Sequence, residues 1–319
     1  MGGDVDPMTR YKLIVNPTAG RGAGERSVPL IEKTLRGYDL DFDLVRTEEP
    51  WHAAHLAEQA VADAFDVVVA VGGDGTANEV LNGLMQAKQA GVGSAAMGVL
   101  SVGRGNDFAF GVGVPRDLAT ACRVLTQDTR RWVDVGRVAG GEYPQGRYFG
   151  NGIGIGFDTV VGLVAQKMKR LRGFFGYFVA TLKTVFLYFR APTVQITTDE
   201  ETTTQAALMV AVMNGRRVGG GFMMAPQAKL DDGMLDFCIA DQVSRARIFT
   251  LIPHFMKGTQ ATQPEIRTGR TRSVVVTAVE GVLPGHADGE TLCTEGRKLS
   301  IELLPRQLEV LVQPPETGQ

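Results

Sequence analysis

Cysteine is scarce in this sequence and never arranged in pairs. Cys122, Cys238 and Cys293 stand far apart with no CxxC spacing, which excludes a disulfide framework and a cysteine zinc site and suits a reducing cytoplasm. An excess of one charge is lacking too: 33 basic against 35 acidic residues leave a formal charge of −2, so no global basic field gathers nucleic acid. No charged segment followed by an apolar one opens the chain, and no secretory signal is expected. The first seven residues, MGGDVDP, read as a leader or expression remnant ahead of a second candidate start, Met8. No stretch reaches the roughly 18–20 uninterrupted apolar residues of a membrane-spanning helix. The nearest, FFGYFVATLKTVFLYF at 174–189, is broken by Lys183. Two common nucleotide signatures are also missing: nothing matches GxxxxGK(S/T), and no GxGxxG with a downstream carboxylate follows the first strand.

What is present falls into two halves. From Tyr11 to about Val135, short β-branched runs (YKLIVNP, FDLVRT, FDVVVAV, MGVLSV) alternate with helical patterns. Ile31 and Leu35, then His55, Leu56, Gln59 and Ala60, then Val80, Leu81, Leu84 and Met85 recur at helical spacing. Strands apolar on both faces and separated by helices predict an open parallel sheet, an α/β domain over 8–135. After Asp134 come β-runs separated by turns: RYFGNGIGIGFD, TVQITTD, AALMVAVMNG, LDFCIA, RSVVVTAV and KLSIELLP. With a short helix at 244–257, they predict a β-rich domain over 136–304, an antiparallel sandwich. The last run, LEVLV within 305–316, fits either domain.

Three strands of the first half end in glycine-rich turns: NPTAGRGAG from Asn16, GGDGT from Gly72, and GRGND from Gly103. In an open α/β sheet, ligands bind beyond the carboxyl ends of the strands. Glycines there let backbone N–H groups approach an anion, and the following helix adds its positive end. Three such turns on one crevice suit a polyphosphate. Asp74 is the odd member, since a carboxylate beside a phosphate is repulsive. It is explained by Mg²⁺, by a hydroxyl whose proton it helps move, or by capping of the helix that starts near Ala77.

At this point the residues resemble a known family. Gly72-Gly73-Asp74-Gly75-Thr76 with Asn78-Glu79, Asn16-Pro17 followed by Gly20, and Gly103 followed by Asn106-Asp107-Phe108-Ala109 are similar to the diacylglycerol kinase catalytic family, in its small bacterial lipid-kinase form. Asn151 to Asp158, GGGFMMAPQAKLDDGMLD at 219–236 and Asp288-Gly289-Glu290 extend the likeness. GGDGT alone is shared with NAD kinases. The resemblance implies an NAD-kinase-like first domain with an ATP site at Asn16, Pro17, Thr18, Ala19, Gly20, Thr47, Gly72, Gly73, Gly75, Thr76, Asn78 and Glu79. Arg104, Asn106 and Asp107 complete the nucleotide loop. Arg104 stands where the family has threonine, Ser101 where it has proline, and Phe110 where it has arginine. Asp107 and Asp134 are expected in an interdomain hydrogen-bond network.

In the second half, KLDDGMLD at 229–236 reads as a hairpin turn through Asp232-Gly233, while its clustered carboxylates suit a hard cation. The resemblance implies a structural Mg²⁺ on Asp232 and the carbonyls of Lys229 and Met234. Asp288-Gly289-Glu290 is a further hairpin tip. The resemblance assigns to it the carboxylate that receives the acceptor proton: Glu290 is favoured, with Asp288 and Asp74 as contenders. Lys167, Lys169, Arg170 and Arg172 precede an aromatic apolar segment to Arg190. That pattern fits either a core helix or a peripheral contact with the inner face of a membrane. The expected activity is transfer of the ATP γ-phosphate, with Mg²⁺, to a lipid hydroxyl in the cleft between the domains. Diacylglycerol is the default acceptor, with a sphingoid base, a phosphatidylglycerol or NAD as alternatives. A non-catalytic lipid-binding regulator is the reading of another class, and a homodimer stays open.

Overall fold

The computed structural model describes residues 9–103, 105–167 and 191–314. These divide into two compact units: residues up to Val133 together with those from Arg306 onward, and Asp134–Pro305.

In the first unit, strands β1 (Tyr11–Val15), β2 (Phe42–Arg46), β3 (Val67–Gly72) and β4 (Ala96–Ser101) alternate with helices α1 (Ala19–Arg36), α2 (His52–Ala62) and α3 (Asp74–Gln89). The strands run parallel in the order β2-β1-β3-β4. All six residues of β3 are buried, as the valine run requires of a central strand covered on both faces. Helices α4 (Asp107–Gly111) and α5 (Leu118–Thr126) follow, the latter capped by Asp117, whose carboxylate accepts from Thr120 N at 2.8 Å.

One helix face differs from expectation. On α2 the buried residues are Ala53, Ala54, Ala57, Ala60 and Val61, while His55 and Gln59 are exposed. The reason is a close helix crossing, in which Gly83 of α3 sits so near the Ala54 carbonyl that a Cβ there would overlap it. Only small side chains fit such an approach, so the spacing of larger residues was misleading.

The second unit is antiparallel. Its elements are β5 (Arg130–Gly140, whose first residues belong to the other unit), β6 (Tyr143–Phe149), β7 (Gly152–Gly156), α6 (Phe157–Lys167), β8 (Thr193–Thr198), β9 (Thr202–Met213), β10 (Leu235–Asp241), α7 (Arg245–Lys257), β11 (Ile266–Thr271), β12 (Ser273–Glu280), β13 (Leu283–Ala287), β14 (Glu290–Gly296) and β15 (Lys298–Leu311). The long β9 organises it: Thr202–Ala206 pair with β8, and Met209–Met213 pair with β7 on one side and β10 on the other. Ile153, Val194, Val212, Leu235, Val276 and Leu299 fill the core enclosed by these strands. Helix α7 begins at Ser244, whose hydroxyl accepts from Arg247 N, and ends at the left-handed Gly258.

Two strand boundaries also depart from the sequence reading. RYFGNGIGIGFD is split into β6 and β7, because the N–H groups of Gly150 and Asn151 turn to a side chain instead of a ladder. KLSIELLP and LEVLV form one fourteen-residue strand, β15, which pairs with β12 at one end and aligns Val310 with Met97 of β4 at the other. The run left open by periodicity thus joins the parallel sheet of the first unit.

All three cysteines are buried and unpaired. Burial pushes the Cys122 thiol up to about 11 and the Cys238 thiol up to about 12, and raises Cys293 as well. Thiolate is the reactive form. The folded chain is therefore expected to be inert to Ellman's reagent at pH 8, and to release three equivalents after unfolding in guanidinium. Rapid labelling of any thiol in the native protein would contradict this burial.

Candidate active site

In the first unit the parallel register brings the three glycine-rich turns side by side. Val15 pairs with Val71 and Gly72 with Ser101, and the ladder extends one step further through Asn16 N to Val71 O (3.0 Å) and Val102 N to Gly72 O (2.8 Å). Asn16 then ties two turns together. Its Nδ2 donates to Thr76 Oγ1 at 3.1 Å, while its Oδ1 accepts from Thr18 N, Thr18 Oγ1 and Ala19 N. Gly20, Arg21 and Gly22 follow in left-handed conformation, so regular helix starts only beyond them. Gly73 and Gly103 also approach closely: a Cβ on Gly103 would stand 2.5 Å from Gly73 Cα. These glycines let backbone touch backbone.

Asp74 closes the arrangement. Its Oδ2 accepts from Asn106 N at 2.7 Å, and its Oδ1 from Asp107 N at 2.6 Å and Phe108 N at 3.2 Å. The carboxylate thus caps α4, an element 32 residues and more downstream, and not its own helix. Negative charge held by several N–H donors is compensated locally. A phosphate on the neighbouring N-terminal turn of α3 therefore meets helix dipole and backbone N–H groups without facing a bare carboxylate. On this observation the residues fit a nucleotide phosphate, whereas Asp74 is already committed as an acceptor and is a poor metal ligand.

The remaining nucleotide-site expectations divide. Asn16 to Gly20, Gly72 to Thr76, Asn106 and Asp107 are gathered by these bonds, and Thr47 stands at the end of β2, its N–H on Val15 O at 2.9 Å. Asn78 and Glu79 have scaffold partners: buried Asn78 accepts from Asn82 Nδ2, and Glu79 Oε2 accepts from Ala53 N at the start of α2. Arg104 lies outside the described residues. Phe110 is exposed on α4.

The second unit repeats the same device. Asp288 and Gly289, both left-handed, make the tight turn between β13 and β14. Asp288 Oδ2 accepts from Gly150 N at 2.8 Å, and its Oδ1 from Asn151 N at 3.0 Å and Gly152 N at 2.9 Å. Glu290, two residues on, pairs with Ala287 in the ladder, and its exposed side chain makes no hydrogen bond or ion pair among the described residues. The structure thus separates carboxylates that spacing left equivalent: Asp74 and Asp288 are engaged by backbone, and Glu290 is available. Asp134 is 1% exposed and serves the acidic turn, its N–H on Leu230 O at 2.6 Å and its Oδ2 accepting from Gly233 N at 2.7 Å.

The expected structural ion meets a different arrangement. Asp232 Oδ1 accepts from Met234 N at 3.2 Å, and its Oδ2 is ion-paired with Arg270. Both oxygens of the one carboxylate in the expected set are in use, the second by a cation. Among the described residues no three acidic, histidine or cysteine side chains gather as a metal site. The set Lys229, Asp232 and Met234 does not fit a bound divalent ion in this arrangement.

Sequence reasoning missed a third feature, behind β7. An apolar pocket is lined by Phe157, Val161, Leu208, Phe222, Ile248 and Phe255, among others. Asp158 is the one charged residue in its wall; it is 3% exposed, and its Oδ2 has no hydrogen-bond partner. His286 Nε2 faces that oxygen at 3.4 Å, beyond good hydrogen-bond geometry. Gly154 makes the meeting possible, because a Cβ there would overlap both Asp158 Oδ2 and His286 Nε2. The alternating glycines of NGIGIG were the available signal.

Residues 10–138 match the diacylglycerol kinase catalytic domain, and 151–312 match the YegS C-terminal NAD kinase beta sandwich-like domain. The chain belongs to the diacylglycerol kinase family. This lipid kinase is 28% identical to a diacylglycerol kinase of Bacillus subtilis over 88% of its own length and 93% of the relative's. It is 32% identical to a YegS-like lipid kinase of Pseudomonas aeruginosa over 91% of each chain. A diacylglycerol kinase structure from Bacillus anthracis shares the fold at TM-score 0.72, with 24% identity over 96% of this chain and 97% of that one. An NAD kinase from Archaeoglobus fulgidus in complex with ATP shares it at 0.50 with 14% identity, covering 95% and 93%. The lipid kinase is accordingly a phosphotransferase with an alcohol acceptor, and its family uses ATP. Among the described residues no helix is long and apolar enough to cross a membrane.

Removing the Asp74 carboxylate should release the turn it holds. Asp74→Ala is expected to cost at least about 2 kcal/mol of unfolding free energy, since buried N–H groups lose their acceptor. Urea titration measures this. A loss below about 0.5 kcal/mol would show that the N–H groups find other partners.

Proposed function

We propose that this lipid kinase phosphorylates diacylglycerol with ATP and Mg²⁺, giving phosphatidic acid. The observation that carries the acceptor class is the pocket behind β7: an apolar wall with one buried carboxylate suits an acyl chain with a hydroxyl at its polar end. A dinucleotide, the acceptor of an NAD kinase, brings charge and many hydrogen-bonding groups that such a wall leaves unsatisfied. The ATP phosphates are assigned to Asn16–Gly20, Gly72–Thr76 and the turn at Asn106 and Asp107. Glu290 is assigned as proton acceptor because it alone of the three contending carboxylates is free of backbone partners among the described residues. In the transfer, the acceptor oxygen bonds to the γ-phosphorus as the bond to the β–γ bridging oxygen breaks, and that electron pair leaves with ADP. The acceptor proton passes to Glu290. Mg²⁺ arriving with the nucleotide supplies charge neutralisation at the phosphates. Access to a membrane lipid is assigned to the basic and aromatic segment 167–190, of which residues 168–190 lie outside the described residues.

The test is an ATP-consumption assay with diacylglycerol, a sphingoid base, a phosphatidylglycerol and NAD in parallel. Turnover is expected with diacylglycerol and not with NAD. Glu290→Gln is expected to lower kcat by about 10²–10⁴ with the KM for ATP little changed. Leu251→Trp, which fills the pocket, is expected to raise the KM for lipid only. Turnover with NAD alone would overturn the acceptor class, and full activity in Glu290→Gln would overturn the assigned base.

A further inference from the structure

The acidic turn at 229–236 carries its own cation. Arg270 lies on β11 directly opposite Asp236 of β10 in the antiparallel register. Its guanidinium is ion-paired with Asp232, and its Nε stands 4.0 Å from Asp236 Oδ2. Both carboxylates are the more buried partners, with side chains 24% and 15% exposed against 49% for Arg270. The turn is also held independently of any ion: Asp134 bonds Gly233 N and Leu230 O, and Asp232 bonds Met234 N. A planar guanidinium bridging two carboxylates supplies the charge neutralisation and the geometric constraint that a hard cation would supply at the same oxygens.

We infer that Arg270 stands in place of the structural divalent ion that the family resemblance assigns to Asp232, Lys229 and Met234. The turn is ordered in the absence of metal, and the divalent requirement of the enzyme is confined to the ion that accompanies the nucleotide. Arg270 is a positioning residue here: it fixes the entry of β10, whose first residues pair with the end of β9.

Thermal unfolding of the full chain without nucleotide or lipid tests this, so the outcome does not depend on the assigned substrate. Wild-type protein is expected to melt within about 1 °C in EDTA and in 5 mM MgCl₂, where a bound ion would add several degrees. Arg270→Met is expected to melt several degrees lower in EDTA and to recover in MgCl₂, as an ion takes the vacated position; Arg270→Lys should stay insensitive to Mg²⁺. Calorimetric titration of the wild-type chain with MgCl₂ alone covers the case in which Arg270→Met does not fold. No one-to-one binding below about 1 mM is expected, because Arg270 competes for the same oxygens. A wild-type melting point raised by several degrees in Mg²⁺, or sub-millimolar binding abolished by Asp232→Asn, would overturn the proposal.

Discussion

The site elements of both units depend on one interaction: an aspartate carboxylate that accepts three consecutive backbone N–H groups from a distant turn. Asp74 does this for residues 106–108 and Asp288 for residues 150–152. Backbone donors leaving a strand or entering a short helix have no regular partner. A charged acceptor satisfies several at once, each bond to the charged group being worth roughly 1.5–3 kcal/mol. In each case the residues so held are glycine-rich or left-handed, and such backbone keeps one conformation only when its surroundings over-determine it.

That constraint reshapes the carboxylates' roles. A carboxylate that must hold three N–H groups is fixed in position and charge-compensated, and its oxygens are committed to the turn it holds. Glu290, two positions beyond Asp288 at the exposed start of β14, holds no such turn among the described residues. The difference between Asp288 and Glu290 thus follows from the turn itself: the left-handed residue's carboxylate folds back onto Gly150, Asn151 and Gly152, and the residue beginning the strand is exposed.

The pocket behind β7 depends on the same economy of small residues. Gly154 gives up its side chain so that Asp158 and His286 can face each other, and the apolar wall comes from α6, β9, β10, α7 and the loop residues Phe222 and Met224. A buried carboxylate oxygen without a hydrogen bond is costly. Asp158 carries that oxygen in the wall of an otherwise apolar pocket, with His286 Nε2 facing it at 3.4 Å.

Much of this was legible in the amino-acid sequence. The parallel sheet followed from runs most of which are apolar on both faces, the antiparallel half from β-runs broken by turns, and the tight turns of the first unit from glycines at three strand ends, because these are local patterns with local physical causes. Asp74, Asn106, Asp288 and Glu290 were all named as candidate site residues from their motifs and the family resemblance those motifs carry. What they do was not legible: whether Asp74 caps its own helix, meets a metal or grips a turn 32 residues away depends on which backbone lies beside it. The same holds for Arg270, whose partner is set by the β10–β11 register, for Asp158, which lines a pocket assembled from segments distant in sequence, and for the alanine face of α2, set by how closely Gly83 allows α3 to approach. Sequence fixes which groups are available; the packing of distant segments decides which of them are already spent on holding the fold and which remain free for chemistry.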